Sequence, residues 1–323
     1  MEKCVDSLLK AGDEAEILIV NDGSKDRTGE IAAAYAAQYP DIVRVLTQEN
    51  GGHGEGINHG LREAAGTYFK VVDSDDWLDQ DALAKTLEHL RRLHAQGDVD
   101  LFLANYVYEY QGAKSNRVIH YRNCLPEQKV FSWEETKWFR PWQYITLHSS
   151  IYRTQILKDL NFELPKHTFY EDNLFVYLPL PYTSRLYYLD VGLYHYCIGR
   201  EDQSVSEQNM KSKCSHQIRI SKEIFKAYHV ADYKEKNPRL AKYLDHEVVL
   251  MLVLATAFTR MNRTDEAEKM MDDMWKELYR HDPKYARRVK NRSFATLVSL
   301  PGKPGREIGL LGYRIAHRFI AFN

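Results

Sequence analysis

The chain has 323 residues, and its 44 Lys and Arg nearly balance its 45 Asp and Glu, which leaves a formal net charge of −1. This balance excludes binding of nucleic acid through bulk positive charge, and a hydrophobic content of 44% excludes a mainly disordered chain. The charge is unevenly divided, because residues 283–323 contain nine Lys or Arg and one acid, Glu307. The four cysteines have no CxxC spacing and the N-terminus has no secretion signal, so we expect a cytoplasmic protein without a cysteine-held zinc ion.

Three strand–loop–helix units are predicted in the first 95 residues, over 15–39, 42–65 and 68–95. This alternation predicts a doubly wound, mostly parallel α/β sheet. Residues 1–9 predict a helix, so we expect the sheet to lack the strand that would precede it. Ligands bind such sheets at the carboxyl ends of the strands. The loops at these ends span 21–24, 51–56 and 73–79.

The rest of the chain predicts a second, helical part. Aromatic-rich strands and short helices are predicted over 101–200, whereas periodic apolar residues predict helices from 208 onward. We therefore expect an α/β catalytic domain over 1–205 and a helical region over 206–300. After a Pro/Gly break at 301–305, a last helix is expected within 305–323.

The sharpest motif is the acidic loop that follows the third strand. It places Asp73, Asp75 and Asp76 within four residues, where their charges repel one another unless a cation is bound. Mg²⁺ and Mn²⁺ take oxygen ligands and bridge carboxylates to phosphates, so an Asp-x-Asp pair suits a metal-bound diphosphate. The alternative is a solvated loop whose acids cap the next helix, for which Asp79 is well placed.

Two other loops carry groups suited to chemistry. Glycines within 51–56 leave backbone N–H groups ahead of a helix, which can bind an anion, but the Walker and dinucleotide glycine spacings are both missing. Glu171 and Asp172 lie between aromatic residues and a helix. A carboxylate held against apolar surface is a candidate general base, and the alternative is that Asp172 caps the helix.

Histidine and tryptophan supply further candidates in the middle of the chain. His148 precedes a predicted strand and is placed to reach the site, although we favour a partly buried histidine with satisfied hydrogen bonds. The aromatic faces of Trp133, Trp138 and Trp142 suit either sugar rings or core packing.

Taken together, the motifs resemble glycosyltransferase family 2, whose members have the GT-A fold. The resemblance rests on the order and spacing of Val20-Asn21-Asp22-Gly23-Ser24-Lys25-Asp26-Arg27-Thr28, Glu49-Asn50-Gly51-Gly52 with Asn58 and Gly60, Asp73-Ser74-Asp75-Asp76-Trp77, and Glu171-Asp172. It implies an inverting enzyme that moves a sugar from a nucleotide-diphosphate donor, which we expect to be UDP-linked, in a single displacement. It also implies Mn²⁺ or Mg²⁺ as the cofactor.

The resemblance implies a role for each matching residue. Asp22 corresponds to the acid that contacts the uracil, Asp73 lies nearer the ribose, and Asp75 is the expected metal ligand together with Asp73. Asp172 corresponds to the base that deprotonates the acceptor hydroxyl, with Glu171 beside it. The other expected donor-binding residues are Asn50, Asn58, Ser74 and Arg200.

Substrates and alternatives follow from the same resemblance. The expected acceptor is a saccharide or a lipid-linked saccharide of the cell envelope or of an exopolysaccharide. Ile57 stands where many family members have arginine, and His53 or Arg200 is the expected substitute. One alternative function is a sugar-phosphate nucleotidyltransferase, which the Glu171-Asp172 pair disfavours. The other is a degenerate, non-catalytic homologue that binds carbohydrate.

The last segment predicts a basic amphipathic helix. Its large apolar residues recur at spacings of 3, 4, 4 and 3 and are Ile308, Leu311, Ile315, Phe319 and Phe322. Helices of this kind lie on anionic membrane surfaces, which would place the protein at the inner face of the cell membrane. The alternative is a helix that docks on its own domain.

Overall fold

The computed structural model describes residues 1–110, 116–199, 206–293, 295–300 and 302–320. Arg200, one of the expected donor-binding residues, lies outside the described residues. The chain forms two compact units. The first consists of residues 1–138 and 145–198, and the second of residues 139–144 and 199–323.

Helices and strands alternate through most of the first unit. Its helices are α1 (Glu2–Leu8), α2 (Thr28–Gln38), α3 (His53–Glu63), α4 (Gln80–His94), α5 (Thr154–Leu160) and α6 (Asp172–Tyr177). Its strands are β1 (Ile17–Asp22), β2 (Val43–Gln48), β3 (Tyr68–Phe69), β4 (Trp77–Leu78), β5 (Leu101–Tyr110), β6 (Arg117–Ile119), β7 (Val130–Phe131), β8 (Ser150–Arg153) and β9 (Leu186–Ile198). Short 3₁₀ helices span Leu9–Glu14, Trp133–Glu135, Leu147–Ser149 and Leu180–Tyr182.

The two longest strand pairings are parallel. Strand β1 pairs with β2, starting at Ile17 with Val43, and β5 pairs with β9, starting at Leu101 with Leu186. Shorter antiparallel strands extend the second ladder in the order β3-β8-β5-β9-β4, with β6 on β5 and β7 on β9. The predicted α/β class is thereby confirmed, and the antiparallel strands are additions at the margins of the parallel ladders.

Strand β5 forms the centre of the larger sheet. Its first eight residues are buried, as is usual for a strand that is covered on both faces. The ring of Phe102 stacks on that of Tyr187 in the neighbouring strand, with 5.3 Å between the ring centres. Such continuous packing makes the β5–β9 pair a firm base for the loops at its carboxyl end.

Local boundaries differ from the sequence predictions in three places. Helix α3 begins at His53, inside the predicted glycine loop, because Gly52 with φ of 82° turns the chain directly into it. The predicted strand over 68–72 pairs only at Tyr68 and Phe69, and β4 lies inside the predicted acidic loop. The last helix begins at Gly302 within the predicted break, since proline in a first turn removes no intrahelical hydrogen bond.

The second unit is helical in its described part. Its helices are α7 (Glu207–Ser212), α8 (Cys214–Ala227), α9 (Val230–Tyr233), α10 (Pro238–Asn262), α11 (Asp265–His281), α12 (Pro283–Arg292), α13 (Ala295–Val298) and α14 (Gly302–Ile320). Among the helices described here, none combines the length and the apolar character needed to cross a membrane.

Glu247 of α10 makes the stability of the second unit depend on pH. The residue is 4% exposed and accepts a hydrogen bond from the Tyr243 hydroxyl. Burial raises the pKa of Glu247 from 4.5 to about 8, against the lowering effect of that hydrogen bond. Between these two values the unfolded chain has lost a proton that the folded chain keeps, so the free energy of unfolding falls as pH rises from 4.5 to about 8.

We expect Glu247→Gln to remove this slope. At pH 8 the variant should be more stable than the parent chain by about 4 kcal/mol, and near pH 4.5 the two should be similar. Thermal melts across this pH range measure the difference. The exposed Glu235→Gln serves as the control. Parallel pH profiles for the Glu247 variant and the parent chain would contradict the expectation.

Candidate functional site

The carboxyl ends of β1 and β2 are joined through the side chain of Asp22. Its Oδ1 accepts hydrogen bonds from Gln48 Nε2 at 2.8 Å and from the Gly51 N–H at 2.7 Å, and its Oδ2 accepts from the Gly52 N–H at 2.8 Å. The amide of Asn50 donates to the Asp22 carbonyl at 3.0 Å. The N–H groups expected to receive an anion are therefore bound by a carboxylate of the chain itself.

The N-terminus of α3 packs tightly against the loop that precedes Glu171. A Cβ atom at Gly54 would lie 2.9 Å from Glu171 Cγ, and one at Gly52 would lie 3.1 Å from the His167 nitrogen. Asn58 fastens the same helix, because its side chain exchanges hydrogen bonds of 2.9 and 3.0 Å with the backbone of Leu164. The glycines are thus needed for this close approach, and Asn58 has a structural role in it.

The close packing allows His53 to join two acids that are far apart in sequence. Its Nδ1 lies 2.7 Å from Glu171 Oε1 and its Nε2 lies 3.0 Å from Asp73 Oδ1. Burial acts to lower the pKa of His53, but the two carboxylates raise it well above the usual value. His53 is therefore an imidazolium at neutral pH. Its role in place of the arginine that many family members have at Ile57 stays a prediction.

Asp73 and Asp76 are held by groups from β9. The Tyr194 hydroxyl donates to Asp76 Oδ2 at 2.6 Å and accepts from the Asp73 N–H at 3.1 Å, and the Cys197 N–H donates to Asp76 Oδ1 at 2.8 Å. Burial acts to raise the pKa of Asp73, yet His53, His148 and Lys70 lower it to about 2. For Asp76, burial and the neighbouring acids raise the pKa to about 8.

His148 completes a group that fits a divalent ion. One donor atom each from Asp73, Asp76 and His148 lie within 4.8 Å of one another. Within the described part of the chain, the buried Nδ1 of His148 has no hydrogen-bond partner. Burial lowers the pKa of His148 to about 4, which leaves the ring neutral and able to bind a metal. Two carboxylates with one imidazole suit Mn²⁺ better than Mg²⁺, which prefers oxygen ligands alone.

The acid pair Glu171–Asp172 lies at the start of α6. Glu171 is 3% exposed and its side chain contacts His53 instead of capping the helix. Asp172 is the first helical residue, and its Oδ1 accepts from the Asn173 amide at 3.0 Å, so the alternative that it is the helix cap is wrong. Burial, followed by repulsion from Glu171, raises the pKa of Asp172 to about 7. A carboxyl group with this pKa is suited to exchange protons near neutral pH.

The remaining predicted residues divide between the site and its surroundings. Asp79 caps α4 by accepting from the Ala82 N–H at 2.8 Å, so the capping function falls to it and not to the three preceding acids. Ser74 is exposed and Asp75 is partly exposed in the same loop, and Asp75 is not a member of the three-residue metal group. The role of Asp75 as a metal ligand stays a prediction. Trp133 is a core residue, 1% exposed, whereas Trp138 is 65% exposed.

Sequence reasoning missed Lys70 and Tyr194. His148 is partly buried as predicted, but its Nδ1 lacks the hydrogen bond that was expected, within the described part of the chain. The Lys70 ammonium donates to the His148 carbonyl at 2.8 Å, and burial lowers the pKa of this lysine to about 7. The ring of His148 stacks on Tyr196, with 4.3 Å between the ring centres. Lys70 could have been found from the sequence, because it is a lysine within an apolar predicted strand that leads directly to Asp73. The contacts of Tyr194 could not, because they depend on the tertiary structure.

Fold and site together define the class of GT-A glycosyltransferases. Residues 1–160 match the family model described as Glycosyl transferase family 2. These residues are similar to glycosyl transferase family 2, which confirms the resemblance found in the sequence.

Individual relatives are similar over about three fifths of the chain. Glycosyltransferase EpsJ of Bacillus subtilis is 31% identical over 205 residues, which are 61% of this chain and 56% of that protein. Glycosyltransferase GlyA of Streptococcus pneumoniae is 29% identical over 209 residues, which are 61% of this chain and 28% of that protein. The chain thus spans about half the length of EpsJ and less of GlyA.

Solved structures share the fold at low sequence identity. S. aureus TarS 1–349 in complex with UDP-GlcNAc is similar with a TM-score of 0.62 at 20% identity, over 98% of this chain and 86% of that one. The mannosyltransferase PcManGT from Pyrobaculum calidifontis, in complex with GDP-Man and Mn²⁺, gives a TM-score of 0.53 at 17% identity, over 90% of this chain and 82% of that one. These similarities confirm the predicted GT-A fold.

Proposed function

We propose that the protein is a metal-dependent, inverting glycosyltransferase that moves a sugar from UDP to a saccharide or lipid-linked saccharide of the cell envelope or an exopolysaccharide. The observation that carries the proposal is the bridge from Asp73 through His53 to Glu171, which is next to Asp172. This bridge joins the loop of the Asp-x-Asp motif to the loop of the acid pair. A donor diphosphate at the first loop and an acceptor hydroxyl at the second would then face each other.

The residues of the site have distinct tasks in this reaction. Asp172 accepts the proton of the acceptor hydroxyl while that oxygen attacks the anomeric carbon and the bond to the diphosphate breaks. His53 fixes the distance between the two loops. Asp73 is the acid on the donor side of the bridge. One displacement at one face of the sugar inverts the anomeric configuration, and no covalent intermediate with the protein forms.

Asp73, Asp76 and His148 are the residues that would hold a divalent ion. Such an ion offsets the negative charge that develops on the departing diphosphate. The complexes of TarS with UDP-GlcNAc and of PcManGT with Mn²⁺ support this choice of donor and cofactor.

Release of UDP tests the proposed reaction. Purified full-length chain is incubated with Mn²⁺, a panel of UDP- and GDP-sugars and candidate saccharide acceptors, and the free nucleotide diphosphate is measured. We expect UDP release that depends on the acceptor. Release of pyrophosphate from a sugar phosphate and UTP would instead indicate a nucleotidyltransferase, and no turnover with any donor would indicate a non-catalytic homologue.

Calorimetric titration of UDP tests the metal dependence. We expect Mn²⁺ to raise the affinity for UDP at least tenfold, because an ion on Asp73 attracts the diphosphate. Asp73→Asn should abolish this gain, whereas the exposed Asp81→Asn should leave it intact. Equal affinity for UDP with Mn²⁺ and with EDTA would refute the proposed metal dependence.

A further inference from the structure

Within the second unit, two glycines let helix α14 pack closely against the residues that precede it in the chain. A Cβ atom at Gly305 would lie 2.6 Å from the carbonyl of Leu300, and one at Gly309 would lie 3.0 Å from Val298 Cα. Both distances are shorter than van der Waals contact, so a larger residue at either position would push the helix away. Leu310, which is 2% exposed, lies on the same buried side.

The other side of the helix leaves two large apolar residues in solvent. Ile308 is 51% exposed and Leu311 is 60% exposed. Leu297 of α13 is 44% exposed and extends this row, because its Cδ2 lies 2.7 Å from the position of a Cβ at Gly312. We call Leu297, Ile308 and Leu311 the α14 apolar face. A helix that only closed its own domain would bury residues such as Ile308 and Leu311, and this helix exposes both.

The segment that carries this face is strongly positive. Residues 283–323 contain nine Lys or Arg and one acid, which gives a net charge of +8. That acid, Glu307, is already subtracted in this count, and it pairs with Arg263 at 3.3 Å and with Arg306 at 3.6 Å. If two copies met through this face, two such segments would be brought together and would repel each other. An anionic surface instead offsets the charge while it covers the apolar residues.

We propose that the α14 apolar face binds the surface of an anionic lipid bilayer. Ile308 and Leu311 would lie among the upper parts of the acyl chains, with the helix axis in the plane of the membrane. The basic residues of the segment would remain at the level of the headgroups. This binding is independent of the proposed transfer reaction.

Vesicle sedimentation tests the proposal with the full chain. The protein is mixed with vesicles of phosphatidylcholine alone, or of phosphatidylcholine with phosphatidylglycerol. We expect binding only to the anionic vesicles, and at least a tenfold weakening when salt rises from about 0.1 M to about 1 M, where the Debye length falls from about 10 to 3 Å. The double variant Ile308→Ser/Leu311→Ser should bind at least tenfold more weakly.

Two further measurements make the result decisive. Tyr182→Ser, at a residue 55% exposed in the first unit, removes a comparable apolar surface and should leave vesicle binding unchanged. Thermal melts establish that the double variant is folded, as expected for a change of two exposed side chains. Equal binding of parent chain and double variant, or no binding of the parent chain to anionic vesicles, would overturn the proposal. So would a dimer in light scattering that the double variant abolishes while vesicle binding is absent.

Discussion

Asp172→Asn is expected to lower kcat for sugar transfer about 10³-fold while the affinity for the donor stays the same. The substitution preserves the size of the side chain and the oxygen that accepts the Asn173 amide hydrogen bond, so α6 should begin at the same residue. What it removes is the carboxylate that takes the proton of the acceptor. Acceptor-dependent UDP release measures the first effect, and calorimetric titration of UDP measures the second.

The pH dependence of the parent chain gives a second measure of the same group. Burial and the neighbouring Glu171 raise the pKa of Asp172 to about 7. Only the ionised carboxylate accepts a proton, so kcat/KM should rise with pH through about 7 and fall below it. The residual activity of Asp172→Asn should lack this dependence.

Asp159→Asn is the matched control for this experiment. Asp159 also accepts a hydrogen bond from a neighbouring amide, that of Gln155 at 2.6 Å, but it is exposed on α5 and makes no contact with His53 or Asp73 among the described hydrogen bonds. It should retain full activity. Full transfer by Asp172→Asn, or an equal loss in both variants, would remove Asp172 from the mechanism.

His53→Ala is expected to lower kcat/KM about 100-fold, since it removes the cation that joins the two acid-bearing loops. Without the ring, Glu171 is buried without its partner, and Asp73 loses the hydrogen bond at 3.0 Å. The side chain of His53 is 46% exposed, which makes its place accessible to a small molecule from solution. Added imidazole should therefore restore part of the activity. Rates measured with increasing imidazole, at constant ionic strength, test this.

His94→Ala separates this role from a general effect of losing a histidine. His94 pairs with one carboxylate, that of Asp98 at 2.9 Å, and is 65% exposed on α4. Neither a loss of activity nor a response to imidazole is expected in this variant. If His53→Ala kept the parental kcat/KM, the bridge would have no part in catalysis, and if imidazole had no effect on an impaired variant, the role of His53 would be in folding alone.

The α/β class and the identity of the acids could be predicted because both depend on local patterns. Short β-branched runs that alternate with polar loops and periodic helices predict parallel strand pairing, and each of these patterns is visible within a short stretch of sequence. The acids of the Asp73–Asp76 loop lie close together in the chain, so their mutual repulsion is visible without a structure. Helix boundaries were less accurate at Gly52 and Gly302, where a backbone turn and a proline in a first turn overruled the composition of the segment.

The connections within the site could not be predicted, because they join distant parts of the chain. His53 meets Glu171 only because Gly52 and Gly54 allow α3 to approach the loop before α6. Asp22 was expected at the uracil from the family resemblance, and its hydrogen bonds to the glycine loop depend on the pairing of β1 with β2. Both sets of contacts depend on how distant helices, strands and loops pack against one another.

The sequence by itself determined the family, the fold class and the excess of positive charge in the last segment, because each is a property of composition, order or spacing. Only the tertiary structure decided which partner each acid has, since burial and distance set the pKa of Asp172 and the bridge through His53. It also decided which side of α14 is exposed. Spacing alone places Ile308 and Leu311 on one face, but the close approach of Gly305 to Leu300 and of Gly309 to Val298 turns that face toward solvent.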